Sequence, residues 1–287
     1  MSQLESHPAW SMRETYPAGV PCWVEALQPD ASAAVEFYAG LFGWAFDEPA
    51  PMPGGFPGAY FVARVEGHAV AGIGSLAERS GLPAPAWTTH IRVDDADEAV
   101  ARVSAAGGTV HAGPLDASPA GRVAFLADPA GALFGVWEAH AREGAGLINE
   151  PRAWDLSSLR TTDLTGSTAF YAAVFGWLAE PFGQDGRLTL WRLPGYVGGQ
   201  PQQPVPRDVV GIMSPLGGPS SAGRDDAHWS VDFYCDDADA TAETTERLGG
   251  RIITPPYDAP GFRGAVLEDP QGATFSVSQQ LIHPDGS

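Results

Sequence analysis

An eleven-residue segment that occurs twice decides the fold, as AVEFYAGLFGW at residues 34–44 and as STAFYAAVFGW at residues 167–177. Two further motifs repeat in the same order and at nearly the same spacing. The segment Asp94-Asp95-Ala96-Asp97 returns at 236–239, and Asp128-Pro129-Ala130-Gly131 returns as Asp-Pro-Gln-Gly at 269–272. Three motifs that repeat in the same order, at nearly the same separation along the chain, indicate two homologous halves.

Each half divides again into two units with the order strand, helix and three strands. In the first unit a predicted strand at Cys22–Leu27 leads into a helix at Ala31–Leu41, whose apolar residues recur at helical spacing. Asp30 is placed to cap the start of this helix, and Gly43 to end it. The other predicted helices are Asp95–Ala106, Leu164–Phe175 and Asp237–Leu248. The pattern predicts an α+β fold of four βαβββ units.

The repeat boundaries give the domain organisation. We predict an N-terminal extension at 1–20, a first domain at 21–140, a linker at 141–152, a second domain at 153–281 and a short tail at 282–287. The 35 glycines and 26 prolines are typical of a chain with many turns and short strands.

Composition excludes several classes of function. The net charge of −19, with only 16 Lys and Arg, argues against a nucleic-acid partner. No apolar run is long enough to cross a bilayer, and the first sixteen residues do not resemble a secretion signal. We therefore expect a cytoplasmic protein with no membrane partner. Two cysteines, Cys22 and Cys235, cannot form a disulfide framework and are expected to be buried thiols.

The Phe-Tyr helix followed by Phe-Gly-Trp, together with the later Asp-Pro-x-Gly hairpin, resembles the vicinal-oxygen-chelate superfamily, which includes glyoxalases, bleomycin-resistance proteins and dioxygenases. The resemblance covers about residues 21–280. It implies two tandem domains in which paired βαβββ units curl their strands into open cups for a small molecule. The superfamily also contains transferases, epimerases and proteins that sequester antibiotics, so the fold alone does not specify the reaction.

The resemblance also implies where metal ligands would lie. The family positions fall on Trp23, Thr88 and Gly135 in the first half, and on Leu156, Ser230 and Ser276 in the second. None of these is a strong ligand for a divalent cation. We expect no metal in the usual place and no cofactor. A site displaced by two residues would have only Glu25 and His90 as ligands.

Strand alternation predicts which side chains share the cup face with those positions. The acid–base candidates are Glu25, His90 and Asp232. The candidates for substrate contact are Trp23, Arg92, Trp137, Ser158, His228 and Tyr234. If the first and second units pair, Glu25 meets His90. If the first and fourth units pair, Glu25 meets Asp232. The same polar groups could form a purely structural pair, and the tryptophans could be ordinary core.

Three functions are consistent with this pattern. The first is a metal-independent isomerase, lyase or cyclase that uses acid–base chemistry on an apolar or aromatic metabolite. The second is a protein that sequesters a drug or metabolite in the same cup. The third is a metal-dependent glyoxalase or dioxygenase. In each case the partner is a small molecule, and the protein is expected to be a monomer or homodimer.

Overall fold

The computed structural model describes residues 15–76, 82, 85–183, 188–198, 208–217 and 224–281. The first half contains β1 (Pro21–Gln28), α1 (Ala31–Phe42), β2 (Ala45–Phe46), β3 (Ala50–Pro51), a 3₁₀ turn (Pro53–Gly55), β4 (Ala59–Val65), β5 (His68–Ser75), β6 (Ala86–Val93), α2 (Ala96–Ala105), β7 (Thr109–Asp116), β8 (Gly121–Ala127) and β9 (Leu133–Ala139). The second half contains β10 (Trp154–Thr161), α3 (Leu164–Phe175), β11 (Leu178–Phe182), β12 (Leu188–Arg192), β13 (Val209–Pro215), β14 (His228–Tyr234), α4 (Ala238–Arg247), β15 (Arg251–Ala259), β16 (Phe262–Glu268) and β17 (Thr274–Gln280).

These elements confirm two tandem α+β domains, each built on one open mixed sheet. The strand order of the first sheet is β2-β4-β5-β1-β6-β9-β8-β7, with β3 paired to β4. The second sheet has the order β11-β12-β13-β10-β14-β17-β16-β15. In each sheet the first strands of two successive units pair antiparallel at the centre, β1 with β6 and β10 with β14. The first unit therefore shares its sheet with the second, and pairing with the fourth unit is wrong.

The helix boundaries follow from their capping residues. The Asp30 carboxylate accepts a hydrogen bond from the Ala33 amide at 3.0 Å, which starts α1. Gly43 ends the helix in the left-handed region with φ of 67°, and its counterpart Gly176 does the same for α3 with φ of 73°. Among the described residues, no helix is long and apolar enough to span a membrane.

The repeated aromatic motifs pack the two domains together. The Tyr38 ring of α1 lies 5.8 Å from Phe275 of the second sheet, and Tyr171 of α3 lies 5.8 Å from Phe134 of the first sheet. Trp44 donates its indole N–H to the Arg152 carbonyl at 2.7 Å. Aromatic burial of this kind contributes strongly to core stability. The motif therefore joins each helix to the other domain as well as to its own.

The Asp-Pro-x-Gly hairpins make the same crossed connection. The Asp269 carboxylate accepts hydrogen bonds from the Tyr38 hydroxyl at 2.9 Å and from the Gln28 amide at 2.6 Å. Its counterpart Asp128 accepts from the Tyr171 hydroxyl at 3.3 Å. Each aspartate also accepts backbone N–H groups of its own turn. Both carboxylates are buried, and a buried carboxylate without hydrogen bonds would be costly. The hydrogen bonds to Asp128 and Asp269 therefore compensate their burial.

The segments that flank the first sheet pack against it. The Ala145 amide donates to the Cys22 carbonyl at 2.8 Å, and Leu147 is buried. Tyr16 donates its hydroxyl to the Ala145 carbonyl at 2.7 Å. Cys22 and Cys235 are both free and buried, as expected. Residues 1–14 of the predicted extension and the predicted tail at 282–287 lie outside the described residues.

Candidate active site

The floor of the first cup is centred on Glu25 of β1. In the register of the central strands, Trp23 lies opposite His90 and Glu25 lies opposite Thr88, so all four side chains share one face of the sheet. His90 Nε2 lies 3.0 Å from Glu25 Oε1, and both side chains are almost fully buried. This ion-pair contact brings together two of the three predicted acid–base residues.

The sequence analysis did not identify a third member of this cluster, Tyr60 of β4. The Tyr60 hydroxyl donates to Glu25 Oε2 at 2.6 Å, and it accepts the Trp23 indole N–H at 2.9 Å. A signal for this contact was present in β5. A Cβ added to Gly72 would lie 2.0 Å from the Tyr60 hydroxyl oxygen, so only glycine leaves room for the phenol. Glycine within a strand is typical of such a close approach.

The charges within the cluster depend on one another. Burial alone would raise the pKa of Glu25, but attraction to His90 and hydrogen bonds from His90 and Tyr60 outweigh it and lower that pKa. Burial, followed by the nearby negative charge of Glu25, raises the pKa of Tyr60 well above its ordinary value. At neutral pH the floor of the cup therefore carries an ionised carboxylate and a neutral phenol.

A cavity opens onto this floor. It has a volume of about 380 Å³, counting its open mouth, and it is a narrow cleft between apolar side chains. The residues that line it are Glu25, Leu27, Met52, Pro53, Phe56, Tyr60, Ser75, Leu82, Ala112, Leu115 and Phe125. An apolar wall with a few polar groups is typical of small-molecule sites. Glu25 and Tyr60 face the cavity, while His90 lies behind them.

The geometry at Gly135 bears on the metal that the fold family implies. A Cβ at this position would lie 2.0 Å from His90 Nδ1, so the imidazole fills the space that a carboxylate on β9 would occupy. Within the described ranges, no three His, Cys, Asp or Glu side chains are grouped to hold a metal ion. Two ligands bind a divalent cation weakly. The residues of the first cup therefore do not fit a metal in the family position.

The second cup does not repeat this chemistry. Its register places Leu156 opposite Asp232 and Ser158 opposite Ser230, so Asp232 occupies the position that His90 has in the first sheet. Burial, then the negative charge of Asp155, raises the pKa of Asp232 to about 8. Ser158 stands where the first cup has Glu25. Asp232 is in a different sheet from Glu25, and the two do not meet.

The remaining predicted residues lie at some distance from the cavity of the first cup. Arg92 bonds to the Val93 carbonyl and lines a crevice between the domains with Val174 and Phe175. Trp137 is buried and donates its indole N–H to the Arg142 carbonyl at 2.8 Å. The Arg142 guanidinium lies 5.4 Å from the Trp23 ring. Neither Trp23 nor Trp137 lines the cavity, although Trp23 supports it through Tyr60.

In the second domain, His228 is buried and its Nδ1 lies 2.8 Å from the Asp226 carbonyl oxygen. Burial lowers the pKa of this imidazole. Tyr234 is half-buried at the end of β14, where its backbone bonds to residues 152 and 153. Two further tryptophans, Trp87 and Trp229, face the helices and donate to Tyr38 and Tyr171. These two tryptophans are core residues.

Comparisons with known proteins agree with this architecture. Residues 23–136 match the model of the Glyoxalase/Bleomycin resistance protein/Dioxygenase superfamily, and residues 157–278 match a glyoxalase-like domain. A Mycobacterium tuberculosis protein named "Putative glyoxylase CFP32" is 40% identical over 272 residues, covering 92% of this chain and 96% of the relative. The anthracycline biosynthesis protein DnrV of Streptomyces peucetius is 34% identical over 274 residues, covering 90% of this chain and 92% of the relative.

Solved structures of the same fold are more distant in sequence. The Mn(II)-bound glyoxalase of Novosphingobium aromaticivorans superposes with a TM-score of 0.57 at 17% identity, covering 94% of this chain and 84% of the other. The 2,3-dioxygenase LapB of Pseudomonas sp. KL28 superposes with a TM-score of 0.56 at 12% identity, covering 93% and 94%. At these identities the likeness shows the fold alone.

Proposed function

Because the chain belongs to the glyoxalase/bleomycin resistance/dioxygenase superfamily, we propose that its first cup binds a small, largely apolar or aromatic metabolite and moves a proton on it without a metal in the family position. The reaction is of the isomerase, lyase or cyclase type. Glu25 is the group that accepts the proton, and His90 and Tyr60 are its partners.

One observation carries this proposal: an ionised carboxylate lies on the floor of an apolar cavity, in contact with two buried side chains, His90 and Tyr60. The contacts of Glu25 with His90 at 3.0 Å and with Tyr60 at 2.6 Å fix both carboxylate oxygens. A base that is held in place by packed neighbours loses little entropy when it reacts. Its position at the cavity surface meets the requirement that a general base reach the proton it removes.

The roles of the three side chains follow from their positions. Glu25 takes a proton from a carbon or oxygen of the bound molecule, and the His90 imidazole contacts the other carboxylate oxygen from behind. The Tyr60 phenol, whose raised pKa keeps it protonated, donates to Glu25 Oε2 and so holds the carboxylate beside the reacting group. Return of the proton at another atom gives isomerisation, and loss of a leaving group gives a lyase reaction.

The relatives support an aromatic ligand. The names of DnrV and of DauV, a Streptomyces protein 33% identical over 276 residues, place both proteins in anthracycline biosynthesis. Phe56, Phe125 and Met52 line the cavity of this chain and provide surfaces suited to a flat ring system. We propose that the ligand is a polyketide-like aromatic metabolite.

Hydrogen exchange tests proton transfer directly. The protein would be incubated with an anthracycline aglycone in D₂O, and deuterium incorporation or product formation would be followed by mass spectrometry. We expect wild type to catalyse exchange or conversion, and Glu25→Gln to reduce the rate by about 100-fold or more, because general acid–base catalysis contributes about 10²–10⁴-fold. Glu138→Gln is the matched control, since the Glu138 carboxylate binds Arg122 outside the cup. Equal rates for wild type and Glu25→Gln would contradict the proposal.

The same cavity supports a second function, the sequestration of a drug or metabolite. The narrow apolar cleft favours this alternative because it could bind a ligand without any reaction. Stoichiometric binding, with the ligand recovered unchanged and no deuterium in it, would support sequestration. A chemically altered ligand, or one with deuterium bound to carbon, would exclude it.

A further inference from the structure

Among the described residues, the polar side chains of the first cup that line the cavity leave only hydrogen-bond acceptors free for a ligand. From this we infer that the cup selects an uncharged aromatic molecule with a free hydroxyl group, which donates its hydrogen to the Glu25–Tyr60 floor. This inference rests on the proposed function and names the class of ligand that the site takes. It follows from tracing each polar hydrogen near the cavity to its partner.

The side-chain hydrogens of Trp23 and Tyr60 on the floor are already used. The Trp23 indole N–H is donated to the Tyr60 oxygen, and the Tyr60 O–H is donated to Glu25. His90 Nε2 faces the other Glu25 oxygen, and the imidazole itself does not line the cavity. The floor therefore has no side-chain donor left for a ligand.

The acceptors on the floor are not used up. A carboxylate has about four lone-pair positions, and the contacts to Tyr60 and His90 occupy two of them on Glu25. The Tyr60 oxygen has a further lone pair beside the one that Trp23 occupies. A ligand hydroxyl at this point meets two acceptors side by side.

Within the described part of the chain, the side chains that line the walls add no donor. Ser75 is the other polar residue there, and its hydroxyl both accepts from the Ala59 amide at 3.0 Å and lies 3.3 Å from the Ala59 carbonyl. The remaining lining residues are apolar. Thr88, whose hydroxyl can donate, lines a separate smaller hollow with Leu27 and Phe125.

This arrangement rejects two kinds of related molecule. A methyl ether brings an acceptor oxygen against acceptor oxygens and leaves the carboxylate without the donor that should compensate its burial. An aromatic carboxylate adds a second negative charge beside Glu25 in an apolar pocket. Sites built around a ligand hydroxyl discriminate strongly against molecules that lack it.

Three naphthalene probes of similar shape test the inference by isothermal titration calorimetry at pH 7: 2-naphthol, 2-methoxynaphthalene and 2-naphthoate. We expect 2-naphthol to bind at least about 10-fold more tightly than 2-methoxynaphthalene, because a hydrogen bond to a charged group is stronger than one between neutral groups. We expect 2-naphthoate to bind most weakly. In Glu25→Gln the preference for naphthol should fall below about threefold, and in Glu138→Gln it should be unchanged.

The outcomes separate this inference from the proposed function. If the three probes bind wild type equally, or if 2-naphthoate binds best, the acceptor-only floor is wrong, while proton transfer is still judged by the deuterium experiment. If the preference for naphthol is the same in Glu25→Gln as in wild type, the selecting group lies elsewhere and the inference is overturned. If no probe binds the folded protein, both the aromatic-ligand proposal and this inference fail.

Discussion

Replacing Gly135 by alanine tests the packing that holds the candidate site together. The added Cβ would lie 2.0 Å from His90 Nδ1, 2.3 Å from Cε1 and 2.8 Å from Cγ, far closer than any normal contact. The backbone at Gly135 is not in the left-handed region, so the conflict is steric and not conformational. The imidazole must move away from Glu25 for the alanine to fit.

The expected cost follows from overpacking. Forcing an extra methyl group into a packed core typically costs about 1–3 kcal/mol, so Gly135→Ala should lower the free energy of unfolding by about that amount. Gly211→Ala is the matched control, because it also lies in a central strand but its Cβ would meet its nearest atoms at 3.6 Å. There the alanine should be neutral or stabilise the protein by up to about 1 kcal/mol.

Urea denaturation followed by tryptophan fluorescence measures both effects. A double-mutant cycle then assigns the cost to His90. In a His90→Ala background the imidazole is absent, so adding Gly135→Ala should cost less than about 0.5 kcal/mol more. If the two substitutions were additive, or if Gly135→Ala were as well tolerated as Gly211→Ala, His90 would not occupy the space described here.

Three further predictions follow from other parts of the structure. Asp232 has its pKa raised to about 8 in the folded protein, so the proton-bound form is favoured by folding. The free energy of unfolding of wild type should therefore fall as the pH rises from about 4 through 8. At pH 9, Asp232→Asn should be more stable than wild type by about 1–3 kcal/mol, after allowance for the partial exposure of the side chain. Parallel pH profiles of the two proteins would refute this. Tyr38→Phe removes the bond to Asp269 and leaves the Trp87 indole without its acceptor, so it should lower the free energy of unfolding by about 1–3 kcal/mol in urea titrations; an unchanged midpoint would show that the crossed connection adds nothing. Gly43→Ala places a side chain at φ of 67° with free space around it. Circular-dichroism melts should show that the free energy of unfolding falls by about 1 kcal/mol from backbone conformation alone. A much larger loss would indicate a clash that the structure does not contain.

The scaffold was predictable from the sequence because its signals are local. The spacing of Phe37 and Tyr38, the cap at Asp30 and the glycine at position 43 each determine the conformation of a few neighbouring residues, and each was confirmed. The repeat then supplied the topology. The contacts of the helix motif with the other domain could not be predicted from local signals, since Asp269 and Phe275, two partners of Tyr38, lie more than 200 residues away in the chain.

The candidate site was predictable in part. Alternation along β1 and β6 placed Glu25 and His90 on one face, but whether they met depended on which units paired, and that is a property of the whole sheet. Tyr60 was missed because its strand carries no family motif, and the evidence for it lay in the glycine opposite. Alternation along β6 predicts that Arg92 faces the cup, like His90. However, Arg92 lies where the register between β1 and β6 shifts, between Pro21 and Trp23, and its side chain lines the crevice between the domains instead.

The two halves have similar residues on the helix side of each sheet and different residues on the cup side. On the helix side, Trp87, Tyr38 and Asp269 form a chain of hydrogen bonds that Trp229, Tyr171 and Asp128 repeat. On the cup side the two halves differ. Ser158 occupies the position in the second sheet that Glu25 has in the first, and Asp232 occupies the position of His90. A sheet one residue thick thus separates a layer that both halves repeat from a layer in which they differ. After duplication, either cup could lose its chemistry or acquire another without unfolding its twin, whereas a change behind the sheet would affect both halves at once.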